Sequence, residues 1–303
     1  MSPLRKFRCH ADVVRQIPSY AALYALVLLA GAAIAMPASR VAHRSAPSEK
    51  AKGMRSYVGF DRNDYPGDSA MAELKRIFAF TGYWVVPPPG ESNNSWTGKR
   101  DVLRGMGYGF LVLFQPNAKN PPGVIENANG MGMRDAARAI AGAMDNGFPR
   151  GTVIFLDLEQ GGRLPPQQLF YALAWIDAVN ASRFRAGVYC SGISLNEGGS
   201  SVITAEDLRE QAAGRKIVYW VFNDMCPPAP GCAVSNPPPM MSASGVPFAD
   251  VWQYAQTPEE RDRTARCAAT YGADGKCYAP GRAASGAFLD LDVADSPDPS
   301  RGR

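Results

Sequence analysis

The feature that most constrains the fold is a series of eight short apolar runs, the first five of which alternate with helix-like segments. The runs are predicted to be strands, and they cover residues 57–61, 80–86, 108–115, 153–157, 185–191, 217–222, 250–256 and 288–293. Strands that alternate with helices in this way favour an α/β fold, a single TIM-like (β/α)8-type barrel. Pro- and Gly-rich loops replace long helices in the last three units, so that part of the barrel is expected to be irregular and loop-rich.

An open, doubly wound α/β sheet is the structural alternative to this barrel. Such sheets commonly bind nucleotides through a glycine-rich turn that follows a strand and opens a helix. The glycine-rich stretch at residues 105–109 instead precedes a predicted strand. The barrel is therefore the favoured fold.

Two acidic residues end the most clearly buried of the predicted strands. The apolar run at residues 153–156 is followed by Asp157 and Glu159. Side chains two positions apart in a strand point to the same side, and the C-terminal ends of parallel strands are where such folds place their chemistry. Two adjacent carboxylates repel, which can create a general acid beside an ionised partner. The pair could equally cap a helix or bind an arginine in a purely structural role.

Acidic and aromatic residues are expected to meet at the end of the barrel where the parallel strands end. The acids are Asp61 after the first strand, Asp157 and Glu159 after the fourth, and Asp290 and Asp292 in the eighth. The aromatic residues near the same rim are Trp96, Trp220, Trp252 and Tyr254. Carboxyl groups that protonate a leaving oxygen and stabilise an oxocarbenium-like centre, with rings that stack on sugars, are typical of glycoside cleavage. Each ring is also a candidate to fill the barrel core.

Histidine is nearly absent, which removes several classes of catalytic site. The chain has two histidines, His10 and His43, and both precede the predicted barrel. Ser-His-Asp and Cys-His catalysis, His-ligated zinc and His general bases are therefore excluded from residues 57–295. Carboxylates are the leading catalytic candidates, and no cofactor or metal is expected. A phosphodiesterase that holds Mg²⁺ or Ca²⁺ on the carboxylates is a further alternative, but no His or Lys is placed to assist the leaving group.

The N-terminal segment resembles an export signal. Four basic residues precede an apolar run at residues 20–36, and small residues end the run. We expect residues 1–35 to be a signal peptide or a retained signal anchor in the inner membrane, because the run is at the short limit for spanning a bilayer. Residues 36–56 are then a flexible linker, residues 57–298 the barrel and residues 299–303 a tail. The protein is expected to be exported, to the periplasm or the cell exterior.

The charge distribution argues against nucleic-acid binding. The formal net charge is +4, and residues 1–35 contribute +3 of it through four basic residues and one acid. The remaining chain is close to neutral, so it has no bulk electrostatic attraction to a polyanion. We expect a monomer whose partner is a polysaccharide.

The cysteines fit an oxidising compartment. Cys226 and Cys232 form one closely spaced pair in a Pro- and Gly-rich loop, and Cys267 and Cys277 form another. We expect two disulfides, each within its own loop. Crosswise pairing and unrelated thiols are open alternatives. Cys190, at the end of an apolar strand, is expected to be a buried small hydrophobic residue.

Four short motifs carry a family resemblance. Gly59-Phe-Asp61, Asp157-Leu-Glu159, Trp252-Gln-Tyr254 and Asp290-Leu-Asp292 resemble, in the same order, the signatures of the family 25 glycoside hydrolases, barrel lysozymes that cut peptidoglycan. Residues 59–67, 95–100, 246–254 and 289–292 are more closely similar to a bacterial, secreted glycoside-hydrolase-like domain family of unknown function that is related to those lysozymes. The resemblance extends over residues 57–298.

The resemblance to the lysozymes implies roles for individual residues. Glu159 would be the general acid, Asp157 would orient substrate or polarise a participating N-acetyl group, and Asp61 and Asp290 would complete the catalytic cluster. The expected substrate contacts are Arg62, Asp64, Trp96, Trp252, Tyr254 and Asp292. The chain departs from the lysozyme pattern where Asp292 replaces a usual Asn and where Arg62 and Asp64 flank Asp61 in place of small residues.

These observations support two functional hypotheses. The first is a secreted glycosidase that acts on a cell-envelope glycan, with peptidoglycan favoured. The second is a catalytically weak barrel that binds glycan and contributes to envelope organisation.

Overall fold

The computed structural model describes residues 55–88, 90–116, 127–225, 229–267 and 271–303. Its strands are β1 (Tyr57–Asp61), β2 (Phe80–Trp84), β3 (Gly109–Phe114), β4 (Val153–Asp157), β5 (Arg185–Ser191), β6 (Ser194–Glu197), β7 (Ser200–Ile203), β8 (Val218–Phe222), β9 (Val251–Ala255) and β10 (Asp290–Ala294). Eight of them close a barrel in the order β1-β2-β3-β4-β5-β8-β9-β10, and β6 and β7 form a separate hairpin. The predicted eight-stranded barrel is confirmed.

The last barrel strand runs opposite to the others, which the sequence analysis did not predict. The neighbouring pairs from β1 to β9 are parallel, whereas β10 is antiparallel to both β9 and β1. The start of β10 therefore lies at the rim where the parallel strands end. In this register Asp290 lies opposite Asp61, and Asp292 lies opposite Gly59.

Helices cover the outside of the first units and are short in the last ones. They are α1 (Asp68–Leu74), α2 (Arg100–Gly105), α3 (Ala128–Asp145), α4 (Pro166–Asn180), α5 (Thr204–Gln211) and α6 (Arg261–Cys267), with a 3-10 turn at Met241–Ser244. Helix α3 begins before the predicted start at Arg134, because the Asn127 side chain accepts a hydrogen bond from the Gly130 N–H and caps it. The predicted irregularity of the last units is confirmed by the seven-residue length of α6.

Aromatic rings fill the barrel interior beneath the rim, where glycine leaves space for them. A Cβ atom on Gly59 would lie 2.0 Å from the Phe80 ring, and one on Gly187 would lie 2.5 Å from the Phe155 ring. The Phe155 ring meets the Trp220 ring edge-on, with 5.6 Å between centroids. This packed layer is the floor on which the polar residues of the mouth are placed.

Residues 299–303 do not form the predicted tail but pack against the base of the barrel. Ser300 is fully buried; its N–H donates to the Phe110 carbonyl (2.9 Å) and its Oγ accepts from the Val112 N–H (2.9 Å). The Gly302 carbonyl accepts a hydrogen bond from Arg100 Nε at 3.0 Å. The bonds satisfy backbone groups at the start of β3 and close that end of the barrel.

The disulfide pairing differs from the prediction. Cys232 is bonded to Cys277, with 5.3 Å between their Cα atoms, so the two short pairs Cys226/Cys232 and Cys267/Cys277 are wrong. The loop after β8 and the loop before β10 lie side by side, and proximity in space decided the pairing, not spacing in sequence. Cys226 and the side chain of Cys267 lie outside the described residues. Cys190 is a buried free thiol, as predicted.

Replacing both Cys232 and Cys277 by Ser should lower the free energy of unfolding by about 2–4 kcal/mol, because the bond closes a long loop in the unfolded chain. Denaturant unfolding of the oxidised wild type and the double variant measures the difference. The wild type in reducing buffer is the control and should match the variant. Equal stability of oxidised wild type and variant would contradict a structural role for this bond.

None of the helices in the described parts of the chain has both the length and the apolar character needed to cross a bilayer. The predicted signal at residues 1–35 and nearly all of the linker at residues 36–56 lie outside those parts.

Candidate active site

A pocket of about 240 Å³ opens at the end of the barrel where the parallel strands end. Strands, not flexible loops, carry much of its lining, so the side chains are held by the barrel itself. The lining residues are Asp61, Asn63, Trp84, Leu113, Gln115, Asp157, Glu159, Tyr189, Trp220, Gln253, Gln256 and Asp290. Four carboxyl groups and no basic side chain therefore face the same small space.

Asp157 and Glu159 form a hydrogen-bonded carboxyl pair at the end of β4. Asp157 is buried, whereas Glu159 is exposed at the mouth. Loss of hydration raises the pKa of both groups, and the negative charge of Glu159 raises the pKa of Asp157 further. A hydrogen bond between two carboxyl groups requires a proton on one of them, so the pair retains a proton above the usual pH range of an acid.

Asp61 lies on the pocket floor at the end of a line of hydrogen bonds. Gln253 Nε2 donates to Asp61 Oδ2 at 2.7 Å, and the Tyr189 hydroxyl donates to Gln253 Oε1 at 2.7 Å. Gln256 Nε2 lies 3.4 Å from the Tyr189 hydroxyl, to which it donates. Burial raises the pKa of Asp61 to about 7, against the lowering effect of the hydrogen bond from Gln253.

The two acids of β10 stand beside Asp61. Asp290 Oδ1 accepts hydrogen bonds from the Thr257 N–H (2.6 Å) and the Thr257 hydroxyl (2.5 Å). Asp292 is fully buried beneath the pocket, and its Oδ1 accepts from Trp220 Nε1 at 3.0 Å. Burial and then the charge of Asp61 raise the pKa of both acids well above the usual range. The structure thus brings all five sequence-selected acids together, four in the lining and Asp292 below them.

Three aromatic residues expected to contact substrate are instead buried in the core. Trp96, Trp252 and Tyr254 have no exposed surface. Their polar atoms donate to backbone carbonyls: Trp96 to Asn63 (2.7 Å), Trp252 to Asn223 (3.0 Å) and Tyr254 to Ala233 (3.3 Å). Alternate residues of a strand face opposite sides, so Gln253 faces the pocket while both its neighbours face away. The assignment of these three rings to ligand contact is corrected.

Arg62 and Asp64 lie near the pocket but do not line it. Arg62 is partly buried, which lowers the pKa of its guanidinium against the opposing charges of Asp64 and Asp290. The guanidinium carbon of Arg62 lies 5.9 Å from the centre of the Phe288 ring. Asp64 is exposed. Both residues are therefore placed to meet only the part of a ligand that extends beyond the pocket.

Several polar and aromatic residues of the pocket were not identified as site residues from the sequence. Strand alternation would have found Gln253, because it is the residue between the two outward-facing aromatic residues of β9. Tyr189 gave no separate signal, since it lies inside an apolar run. Trp220 was noted as a rim aromatic residue but was not assigned to the site. The other unassigned lining residues are Asn63, Trp84, Leu113, Gln115 and Gln256.

In the parts of the chain that the structure describes, no three His, Cys, Asp or Glu side chains are grouped so that they could hold a metal ion. The chemistry that the described side chains themselves offer is proton donation and charge stabilisation by carboxyl groups.

Residues 91–227 match the model of the family described as "Rv2525c-like, glycoside hydrolase-like domain". The chain contains an Rv2525c-like domain. The matched part of the Rv2525c-like domain runs from before α2 to just beyond β8, and it includes Asp157, Glu159 and Tyr189. The resemblance to a glycoside-hydrolase-like family, first seen in short motifs, is thereby confirmed. Among curated proteins, none matches the chain in sequence.

Solved structures share the fold of the Rv2525c-like domain at low sequence identity. An uncharacterized protein of B. stearothermophilus is 17% identical with a TM-score of 0.53, over 78% of this chain and 95% of that one. The Mycobacterium tuberculosis Tat-secreted protein Rv2525c, in complex with L-tartrate, is 13% identical with a TM-score of 0.45, over 79% and 94%. The Clostridium perfringens spore cortex lytic enzyme SleM is 13% identical with a TM-score of 0.47, over 81% and 69%.

Proposed function

We propose that the Rv2525c-like domain is an exported glycosidase that cleaves a cell-envelope glycan, with peptidoglycan as the favoured substrate. The observation that carries the proposal is the hydrogen-bonded Asp157–Glu159 pair at the open mouth of a pocket whose floor holds Asp61. Glycoside cleavage needs one carboxyl group that keeps a proton and a second that is ionised near the sugar. The family described as glycoside hydrolase-like agrees with this chemistry.

Glu159 is the proposed general acid. It is the member of the carboxyl pair that is exposed at the mouth, so the oxygen of a glycosidic bond can reach it. Its raised pKa favours the protonated form that donation requires. Asp157, buried against it, would return a proton to Glu159 and orient the substrate or its N-acetyl group.

Asp61 and the charge of the pocket supply the second part of the mechanism. The cleaved sugar passes through a cation-like centre, which a buried carboxylate stabilises. Asp61 lies in the lining and accepts a hydrogen bond from Gln253 that supports its ionised form. Because the lining contains no basic residue, the pocket favours a developing positive charge.

The size and polarity of the pocket suit a sugar ring. At about 30 Å³ per water, 240 Å³ corresponds to roughly eight water molecules, which is comparable to one monosaccharide. Gln115 Oε1 is buried and has no hydrogen-bond partner among the described residues. A buried acceptor of this kind is expected to bind a hydroxyl or amide N–H of the ligand. Trp84 and Tyr189 provide the adjoining ring surface.

Export is part of the proposal. The Cys232–Cys277 disulfide fits an oxidising compartment such as the periplasm or the cell exterior. The export signal at residues 1–35 remains a prediction from the sequence, including the question of cleavage or retention as an anchor.

The test is mass spectrometry of soluble fragments released by the full chain from purified peptidoglycan and from a panel of other envelope glycans. The expected result is a set of fragments whose new reducing end identifies the cleaved bond. Sedimentation of the protein with each insoluble glycan is measured in parallel. Co-sedimentation without release from any glycan would contradict the glycosidase and favour the glycan-binding barrel, the second hypothesis drawn from the sequence. Neither release nor co-sedimentation would contradict both.

A further inference from the structure

The hydrogen bonds that end at Asp61 all run in one direction. An amide group donates through nitrogen and accepts through oxygen, so Gln253, which donates to Asp61, must receive the hydrogen of Tyr189. Tyr189 can then accept from Gln256. Each bond presents a hydrogen toward Asp61, and none asks Asp61 to donate. This side of Asp61 is therefore built for a carboxylate, not for a carboxylic acid.

Asp292 approaches Asp61 from the other side. The indole of Trp220 can only donate, and it donates to Asp292 Oδ1 at 3.0 Å. No N–H or ordinary hydroxyl in the described part of the chain reaches Asp292 Oδ2. A hydrogen bond instead joins the Asp292 side chain to that of Asp61. Two carboxyl groups can make such a bond only when one of them carries a proton.

The two sides together decide where that proton lies. Asp61 already accepts from Gln253, and Asp292 Oδ1 already accepts from Trp220, so Oδ2 of Asp292 is the oxygen left to carry a hydrogen. We propose that Asp292 is a neutral carboxylic acid that donates its proton to Asp61 and thereby positions Asp61 as the ionised carboxylate of the pocket. Asp292 is a positioning residue in this arrangement, because it lies below the lining and acts through Asp61.

The charged surroundings require a neutral donor at this place. The titratable groups that interact with the pair are Asp290 on the same strand, Asp157 and Glu159 at the end of β4, Tyr189 on β5 and Tyr254 on β9. All of these groups are neutral or negative, and no cationic side chain lines the pocket. A second carboxylate at Asp292, fully buried and beside Asp61, would have no counter-charge. Burial and the charge of Asp61 raise the pKa of Asp292 in agreement with this picture.

The test is an NMR titration of the full chain with ¹³C-labelled Asp carboxyl carbons, in which Asp61→Asn and Asp292→Asn identify the two signals. The expected result is an Asp292 carbon that stays protonated through pH 7 while Asp61 titrates near that pH. Asp292→Asn preserves shape, accepts from Trp220 and still donates an N–H to Asp61. It should therefore leave the Asp61 midpoint within about half a pKa unit, because no charge has been removed.

Two outcomes would overturn the proposal. One is ionisation of Asp292 below pH 7, and the other is a fall of about one pKa unit or more in the Asp61 midpoint of Asp292→Asn, the sign that a neighbouring negative charge has been lost. Asp292→Leu removes the donor and should raise the Asp61 midpoint; an unchanged midpoint in a folded variant would also count against the proposal.

The arrangement rests on the proposed function only for its catalytic meaning. The titration needs no turnover, so an inactive protein would contradict the glycosidase and leave this test intact. If the protein is active, Asp292→Asn should keep the acid limb of the pH–rate profile in place, whereas Asp292→Leu should move it to higher pH. A downward shift of that limb in Asp292→Asn would contradict the neutral state of Asp292.

Discussion

Replacing Glu159 by Gln is expected to lower the rate of glycan release by about 10²–10⁴-fold, the usual contribution of a general acid. Gln has the shape of Glu and can accept a hydrogen bond from Asp157, but it has no proton to deliver to a leaving oxygen. Binding should persist because the pocket keeps its volume and its other polar groups. Fragment release and co-sedimentation with the same glycan measure the two properties separately.

Glu210→Gln is the matched control for this loss. Glu210 lies on α5, is exposed and is not part of the pocket lining, so the same chemical change there should leave the rate of release within twofold or so of wild type. A Glu159→Gln variant with wild-type activity would remove Glu159 from the mechanism. Loss of both activity and co-sedimentation would assign Glu159 to binding instead.

The protein is expected to be more stable at pH 5 than at pH 8, in contrast to proteins whose acids are held by cations. Burial raises the pKa of Asp61 from 3.8 to about 7, so the folded protein binds this proton more tightly than the unfolded chain does. The stability from this group is complete below pH 3.8 and is lost progressively up to about pH 7. At about 1.4 kcal/mol per pKa unit, Asp61 alone should cost roughly 3 kcal/mol between pH 5 and pH 8. The melting temperature should fall by roughly 6–12 °C.

Asp61→Asn should remove much of this pH dependence, since Asn can accept from Gln253 without ionising. Thermal unfolding of the variant should change less between pH 5 and pH 8 than that of wild type, and the variant should be the more stable protein at pH 8. The control is Asp145→Asn at the exposed end of α3, which should keep the wild-type slope. A wild-type melting temperature that rises from pH 5 to pH 8 would show that Asp61 is not held protonated by burial.

The acids could be found from the sequence because they follow simple periodic rules. Asp157 and Glu159 end a buried strand at positions of the same parity, and the closure of the barrel brings Asp61 beside Asp290. Strand direction could not be read in the same way. The reversal of β10 depends on how the long loop before it packs, which apolar patterns do not encode. Asp290 nevertheless reaches the predicted rim, because a reversed strand begins where a parallel one would end.

The errors have a common cause, which is that sequence spacing does not determine which side of an element faces the ligand. Trp252 and Tyr254 flank a pocket residue in sequence, yet the pleat of β9 turns both rings into the core. Tyr189 shows the converse, since an apolar strand gave no reason to select its hydroxyl. The pairing of Cys232 with Cys277 likewise follows from the contact of two loops that are distant in the chain.

The base of the barrel also has a practical meaning. The chain enters the barrel there at Tyr57, which pairs with Ala294, and the bonded residues 299–303 end there as well. A matrix or surface linked to either end would thus lie behind the domain. The mouth would point away from the support, with room for a long insoluble polymer to approach it. Immobilisation through an end is therefore compatible with access of a bulky substrate to the carboxyl groups.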